Sequence, residues 1–86
     1  MKRRKLLEKL AQGALHNISF DDMKNLVEGF GFTLARVNSG HHIFTRPYIP
    51  QLANLQNVRG QAKPYQIRQF LRLVERYNLK LEEDDT

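Results

Sequence analysis

The side chains of this 86-residue sequence best suited to acid–base chemistry stand together. They are His41 and His42, directly after the turn signal Asn38-Ser39-Gly40. Imidazole is the side chain whose unperturbed titration falls near neutral pH, so it can take and return a proton there. Asn and Gly tolerate positive φ, which predicts a hairpin turn at 38–40 and a strand from His41 to Arg46. Successive side chains along a strand point to opposite faces, so the two histidines are separated. If Ile43 faces the helices, His41 shares that face as the structural histidine, and His42 looks outward beside Phe44. An outward aromatic beside an imidazole could stack a nucleobase. If Phe44 is core instead, His42 is buried with it. A lone outward histidine is more often a surface residue than a reagent.

Other chemistries find less support. Adjacent histidines on a strand diverge, and neither cysteine nor a carboxylate cluster stands at ligand spacing, so neither metal nor cofactor is expected. No glycine-rich phosphate loop or nucleophile elbow is present, and Ser39 lacks an evident base and orienting acid. The absence of cysteine also fits a reducing, cytoplasmic setting.

Charge points to a class of partner. The formal net charge is +5, and Glu82, Glu83, Asp84 and Asp85 carry four of the nine acidic residues. Before that tail, fourteen basic residues face five acidic ones. A small basic domain suits a polyanion, nucleic acid before an anionic membrane, although a merely soluble basic surface has the same composition. Glu8, Lys9 and Gln12 interrupt the apolar run after Met1-Lys2-Arg3-Arg4-Lys5, which argues against a signal peptide, and nothing approaches a membrane span.

The elements that would position the histidines follow from periodicity. Leu7, Leu10, Ala11 and Ala14 predict a short basic helix over 3–14. Ser19 is a good N-cap, with Asp22 at the third helical position and Ile18 and Met23 placed as a staple. Met23, Leu26, Val27 and Phe30 continue a helix over 20–30, and Gly31 suits its end. Strands are expected at 32–37, with Phe32 and Leu34 on one face, at 41–46, and more weakly at 52–58. A basic loop is expected at 59–63. Pro64 opens a last helix with the stripe Ile67, Phe70, Leu71 and Val74. Arg68, Arg72 and Arg76 lie on another face, either solvated or anion-binding. The expected class is α+β: a three-stranded antiparallel sheet covered by two helices in the order α-β-β-β-α, as in double-stranded-RNA-binding domains, plus an extra N-terminal helix.

The runs Gly31-Phe32-Thr33-Leu34-Ala35-Arg36 and Ser39-Gly40-His41-His42-Ile43-Phe44, with Gly60, Lys63-Pro64 and Ile67-Arg68-Gln69-Phe70-Leu71, resemble the HicA toxin family. The resemblance covers roughly residues 20–79. Here Ser39-Gly40 reverses the family's Gly-Ser order. The resemblance implies a HicA-like domain over 19–80, between a basic helical extension (1–18) and an acidic tail (81–86). It further implies an mRNA endoribonuclease, metal-independent, with His42 catalytic and a HicB-like antitoxin as partner. Ser39, Gly40 and His41 would support the turn, and Arg36, Arg46, Arg59 and Lys63 are the candidates for binding RNA phosphates. Lys63 is favoured because it precedes a helix N-terminus. A non-catalytic RNA-binding module of the same fold is the alternative. A DNA-binding regulator is weaker, because no helix-turn-helix pair precedes the last helix.

Overall fold

A computed structural model of the chain describes residues 2–82, so all but the first two residues of the expected acidic tail lie outside it. The order is α1 (Arg3–Ala11), α2 (Phe20–Gly29), β1 (Thr33–Asn38), β2 (His41–Arg46), β3 (Ile49–Val58), β4 (Gln61–Ala62) and α3 (Pro64–Arg76). The class is α+β. The sheet is antiparallel throughout, in the order β1-β2-β3-β4. No helix among the described residues is long and apolar enough to cross a membrane.

The sheet has four strands, not three. The additional strand, β4, lies within the stretch expected to be a basic loop. Ala62 is buried there, and its N–H donates to the Ile18 carbonyl at 2.9 Å, while Gln61 bridges to Ser19. A two-residue strand carries too little periodicity to be seen in sequence. β3 also starts three residues earlier than expected, at Ile49. Pro50 falls where the β2–β3 register is irregular, between the pairs Arg46–Ile49 and Phe44–Ala53, so no regular ladder requires its missing donor.

Helix ends obey local chemistry. The Ser19 hydroxyl accepts from the Asp22 N–H at 3.2 Å and caps α2. Gly31 (φ 90°) follows the last turn, and a Cβ there would sit 2.9 Å from Arg46 Nε. α1 ends at Ala11, sooner than expected, because Gly13 (φ 91°) turns the chain left-handed.

One hydrophobic cluster joins every layer. Leu6 and Leu10 of α1 and Leu15 and Ile18 of the following loop pack with Met23, Leu26, Val27 and Phe30 of α2. Phe44, Ala53 and Leu55 of the sheet and Ile67 and Phe70 of α3 complete it. Phe70 meets Phe30 and Phe32 edge-on, with centroids 5.6 and 5.4 Å away. The basic first helix is therefore part of the core. Arg3 Nε secures it further, donating to the carbonyl and side-chain oxygens of Asn25 at 2.9 and 3.1 Å. β1 has no residue buried on either face, and among the described residues no strand pairs with its outer edge.

Candidate active site

The turn expected at 38–40 is a two-residue hairpin. Asn38 pairs with His41, and both loop residues have positive φ: Ser39 at 52° and Gly40 at 83°. Two such residues make the turn whose twist matches the flanking strands. The turn also orients a side chain. His42 Nδ1 lies 3.3 Å from the Gly40 carbonyl oxygen. That oxygen can only accept, so Nδ1 carries the hydrogen in this contact. In neutral imidazole this leaves the Nε2 lone pair free. No described residue bonds Nε2.

Cross-strand pairing fixes the faces. Phe44 is fully buried against the helices, and His42, two residues away, shares its face. Ile43 and His41 lie on the open face. Of the two alternatives, the one with Phe44 in the core and His42 on its face holds; His41 does not face the helices and His42 does not look outward. Phe44 fills more core volume than Ile43, and a register irregularity between Leu34 and Arg36 of β1 adjusts the pairing. Leu34 lies opposite Phe44, yet remains exposed at the sheet margin.

His42 stays half-buried because it sits at the rim, near the turn. Its ring lies 4.6 Å from that of Phe20, centroid to centroid, at an interplanar angle of 58°. Phe20 opens α2 directly after the Ser19 cap and is buried. Helix start and hairpin therefore hold the imidazole between them. His41 lies across the sheet, with Nδ1 3.2 Å from Asn54 Oδ1, so the two imidazoles cannot act on one atom. No carboxylate among the described residues pairs with His42.

The four basic candidates separate. Arg36 pairs with Ile43 and belongs to the open face, behind the sheet from His42. Arg46 lies at the other end of β2, about 13 Å along the strand. Its Nε donates to the Phe30 carbonyl at 2.9 Å, which binds the end of α2 to the sheet. Neither residue lines the His42 rim. Arg59 belongs to the β3–β4 turn, and Lys63 directly follows β4. The Gly60 carbonyl accepts from the Phe20 N–H at 2.8 Å, placing the β3–β4 turn beside the ring that touches His42. Arg59 (φ 55°) is exposed in that turn, which Asn57 shapes by accepting from the Gly60 N–H at 2.7 Å. Lys63 is the exposed N-cap residue of α3. The first turn of α3 has no acidic residue, unlike that of α2, which carries Asp21 and Asp22. The α3 end is therefore the more favourable for an anion.

Two contributors escape the sequence. Phe20 looks like an ordinary first-turn residue, and only its place directly after the N-cap marks it. Gln66 is 4% exposed in α3; its Oε1 accepts from the Gln56 N–H at 2.7 Å, and its Nε2 donates to Gln56 Oε1 at 3.0 Å. It anchors α3 to the β3 residue next to Leu55, which lies opposite His42. A buried glutamine on an otherwise apolar stripe is the signal that could have found it. No group of three histidine or acidic side chains among the described residues is placed to hold a metal ion.

Comparison with protein-family models, curated proteins and solved structures finds no match to this chain.

Proposed function

We propose that this protein is a small mRNA endoribonuclease of the HicA toxin type, working in the cytoplasm with His42 as its proton-transfer group. The observation that carries this reading is the half-buried rim imidazole, held by Phe20 and Gly40, with no described residue bonded to Nε2. The order α2-β1-β2-β3-α3, with helices against one sheet face, supports a double-stranded-RNA-binding-domain-like arrangement. β4 and α1 are additions to it.

In the proposed reaction Nε2 accepts the proton of a ribose 2′-hydroxyl. The 2′-oxygen forms a bond to the adjacent phosphorus, and the bond to the 5′-oxygen breaks. The proton passes to the departing oxygen, leaving a 2′,3′-cyclic phosphate and a 5′-hydroxyl. Arg59 and Lys63 would offset charge on the phosphate oxygens. General base catalysis of this kind contributes about 10²–10⁴-fold. A single imidazole without a carboxylate partner is a sparse site and predicts slow turnover. A HicB-like antitoxin would neutralise the protein by covering the His42 rim.

Product analysis tests this chemistry. Cleavage should persist in EDTA and yield cyclic-phosphate ends, and a 2′-deoxy sugar at the scissile position should block it. Hydrolysis of that deoxy substrate would refute the mechanism. A second reading, a non-catalytic RNA-binding module, draws on the missing acid partner at His42. It predicts salt-sensitive binding with the transcript left intact.

A further inference from the structure

The groove between β3 and α3 lies apart from the His42 rim and presents a different chemistry. Its volume is about 290 Å³, and it runs along β3 from Gln51 to Asn54, with α3 as the other wall. β4 pairs only with Asn57 and Val58 of β3, so among the described residues no strand covers β3 on that side before Asn57. The Gln56 N–H points away from β2, into the oxygen of Gln66. Strand alternation turns the N–H and C=O of Asn54 the same way, and Leu52, next to the last regular pair Phe44–Ala53, carries the edge into the irregular stretch.

The two ends of this edge are closed. Gln66 occupies the Gln56 end, and the Tyr77 hydroxyl donates to Gln51 Oε1 at 2.6 Å near the other. Between them, no turn or side chain among the described residues bonds the outward backbone of Leu52 or Asn54. An unpaired strand edge is a template for another strand. Most proteins blunt such an edge with charge or proline, and here only its ends are blunted.

The lining defines the occupant. Leu52 is half exposed, and the partly buried Leu73 supplies further apolar surface, with Phe70 buried at the base. Arg72 is the one charged lining residue, exposed and without an ion-pair partner among the described residues. Arg68 stands one turn earlier on the same helix. Nucleic acid is poorly served, because the only aromatic in the lining, Phe70, is buried and cannot stack a base.

We propose that this groove binds an extended acidic peptide segment of a partner protein, which adds to β3 as a short antiparallel or parallel strand. Main-chain bonds to Leu52 and Asn54 hold the peptide. An apolar side chain packs on Leu52 and Leu73, and an acidic one meets Arg72. Strand addition takes affinity from the backbone and selectivity from alternate side chains. Charge complementarity decides against the basic folded domain of a second copy, which carries fourteen basic and five acidic residues before Glu82.

The test uses the full chain and acetylated, amidated octapeptides with valine at alternate positions and glutamate, glutamine or lysine between. Amide hydrogen exchange by NMR reads the contact. The glutamate peptide should slow exchange at both Leu52 and Asn54 by about tenfold or more, and Arg72→Glu should weaken its binding by about tenfold or more. The lysine peptide should leave both amides unchanged. The proposal is overturned if millimolar glutamate peptide protects neither amide, if lysine peptide protects them equally, or if Arg72→Glu binds unimpaired. Protection by single-stranded RNA instead of peptide would assign the groove to nucleic acid and overturn it as well. None of these readouts involves cleavage, so the result is independent of His42 chemistry.

Discussion

The ring of His42 rests on that of Phe20, 4.6 Å between centroids, joining the start of a helix to the start of a strand. An aromatic contact of this kind contributes about 0.5–1.5 kcal/mol beyond burial, enough to favour one orientation of a rim side chain. Phe20→Leu keeps an apolar residue in the core and removes that contact. It should leave the protein folded, at a cost of about 1–2 kcal/mol in chemical denaturation. RNA cleavage should slow by about two- to tenfold, with RNA affinity little changed.

Arg46 and Arg36 look alike in sequence and differ in role. Arg46→Met removes a charged donor from the Phe30 carbonyl and should destabilise the fold by about 1–3 kcal/mol. Arg36 is exposed on the open face, and Arg36→Met should change stability by less than about 0.5 kcal/mol. Urea titrations of the two variants side by side measure the difference.

Gln66 satisfies the outward N–H of Gln56 and binds the same residue's side chain. Gln66→Leu would leave that donor without its partner, at a cost of about 1–3 kcal/mol. Equilibrium denaturation gives the loss, and hydrogen exchange should show it concentrated in faster exchange at Gln56.

Arg59 stands in the turn that bonds the Phe20 N–H, and Lys63 heads α3 four residues later. Replacing either by alanine should weaken RNA binding at low salt. Each loss should reduce the slope of log affinity against log salt by about 0.7, the value for one phosphate on a single strand. Arg46→Met should leave that slope unchanged. Binding titrations at several salt concentrations distinguish the three.

Local signals were the legible part of this fold. The Ser19 cap, the glycine after α2, the Asn38–Gly40 hairpin and Pro64 at the head of α3 all act through neighbours in sequence, so their positions could be read directly. Face assignment could not. It depended on whether Ile43 or Phe44 entered the core, and on an irregularity in β1 that periodicity does not reveal. In α1, Leu6 and Leu10 are buried while Ala11 is exposed, as is Ala14 beyond the helix end, because the helix turns its leucines to α2. The candidate site was divided in the same way. The turn and His42 were visible as a motif. Phe20, the separation of Arg36 and Arg46 from the rim, and the open edge of β3 are products of long-range pairing.

The central claim is that the His42 imidazole moves the proton in RNA cleavage. The most direct measurement compares wild type and His42→Ala on one labelled transcript, after circular dichroism and thermal melting establish that the variant is folded. His42→Ala should retain RNA binding within about threefold and cleave about 10²–10⁴-fold more slowly. A folded His42→Ala protein that cleaves at the wild-type rate would contradict the claim.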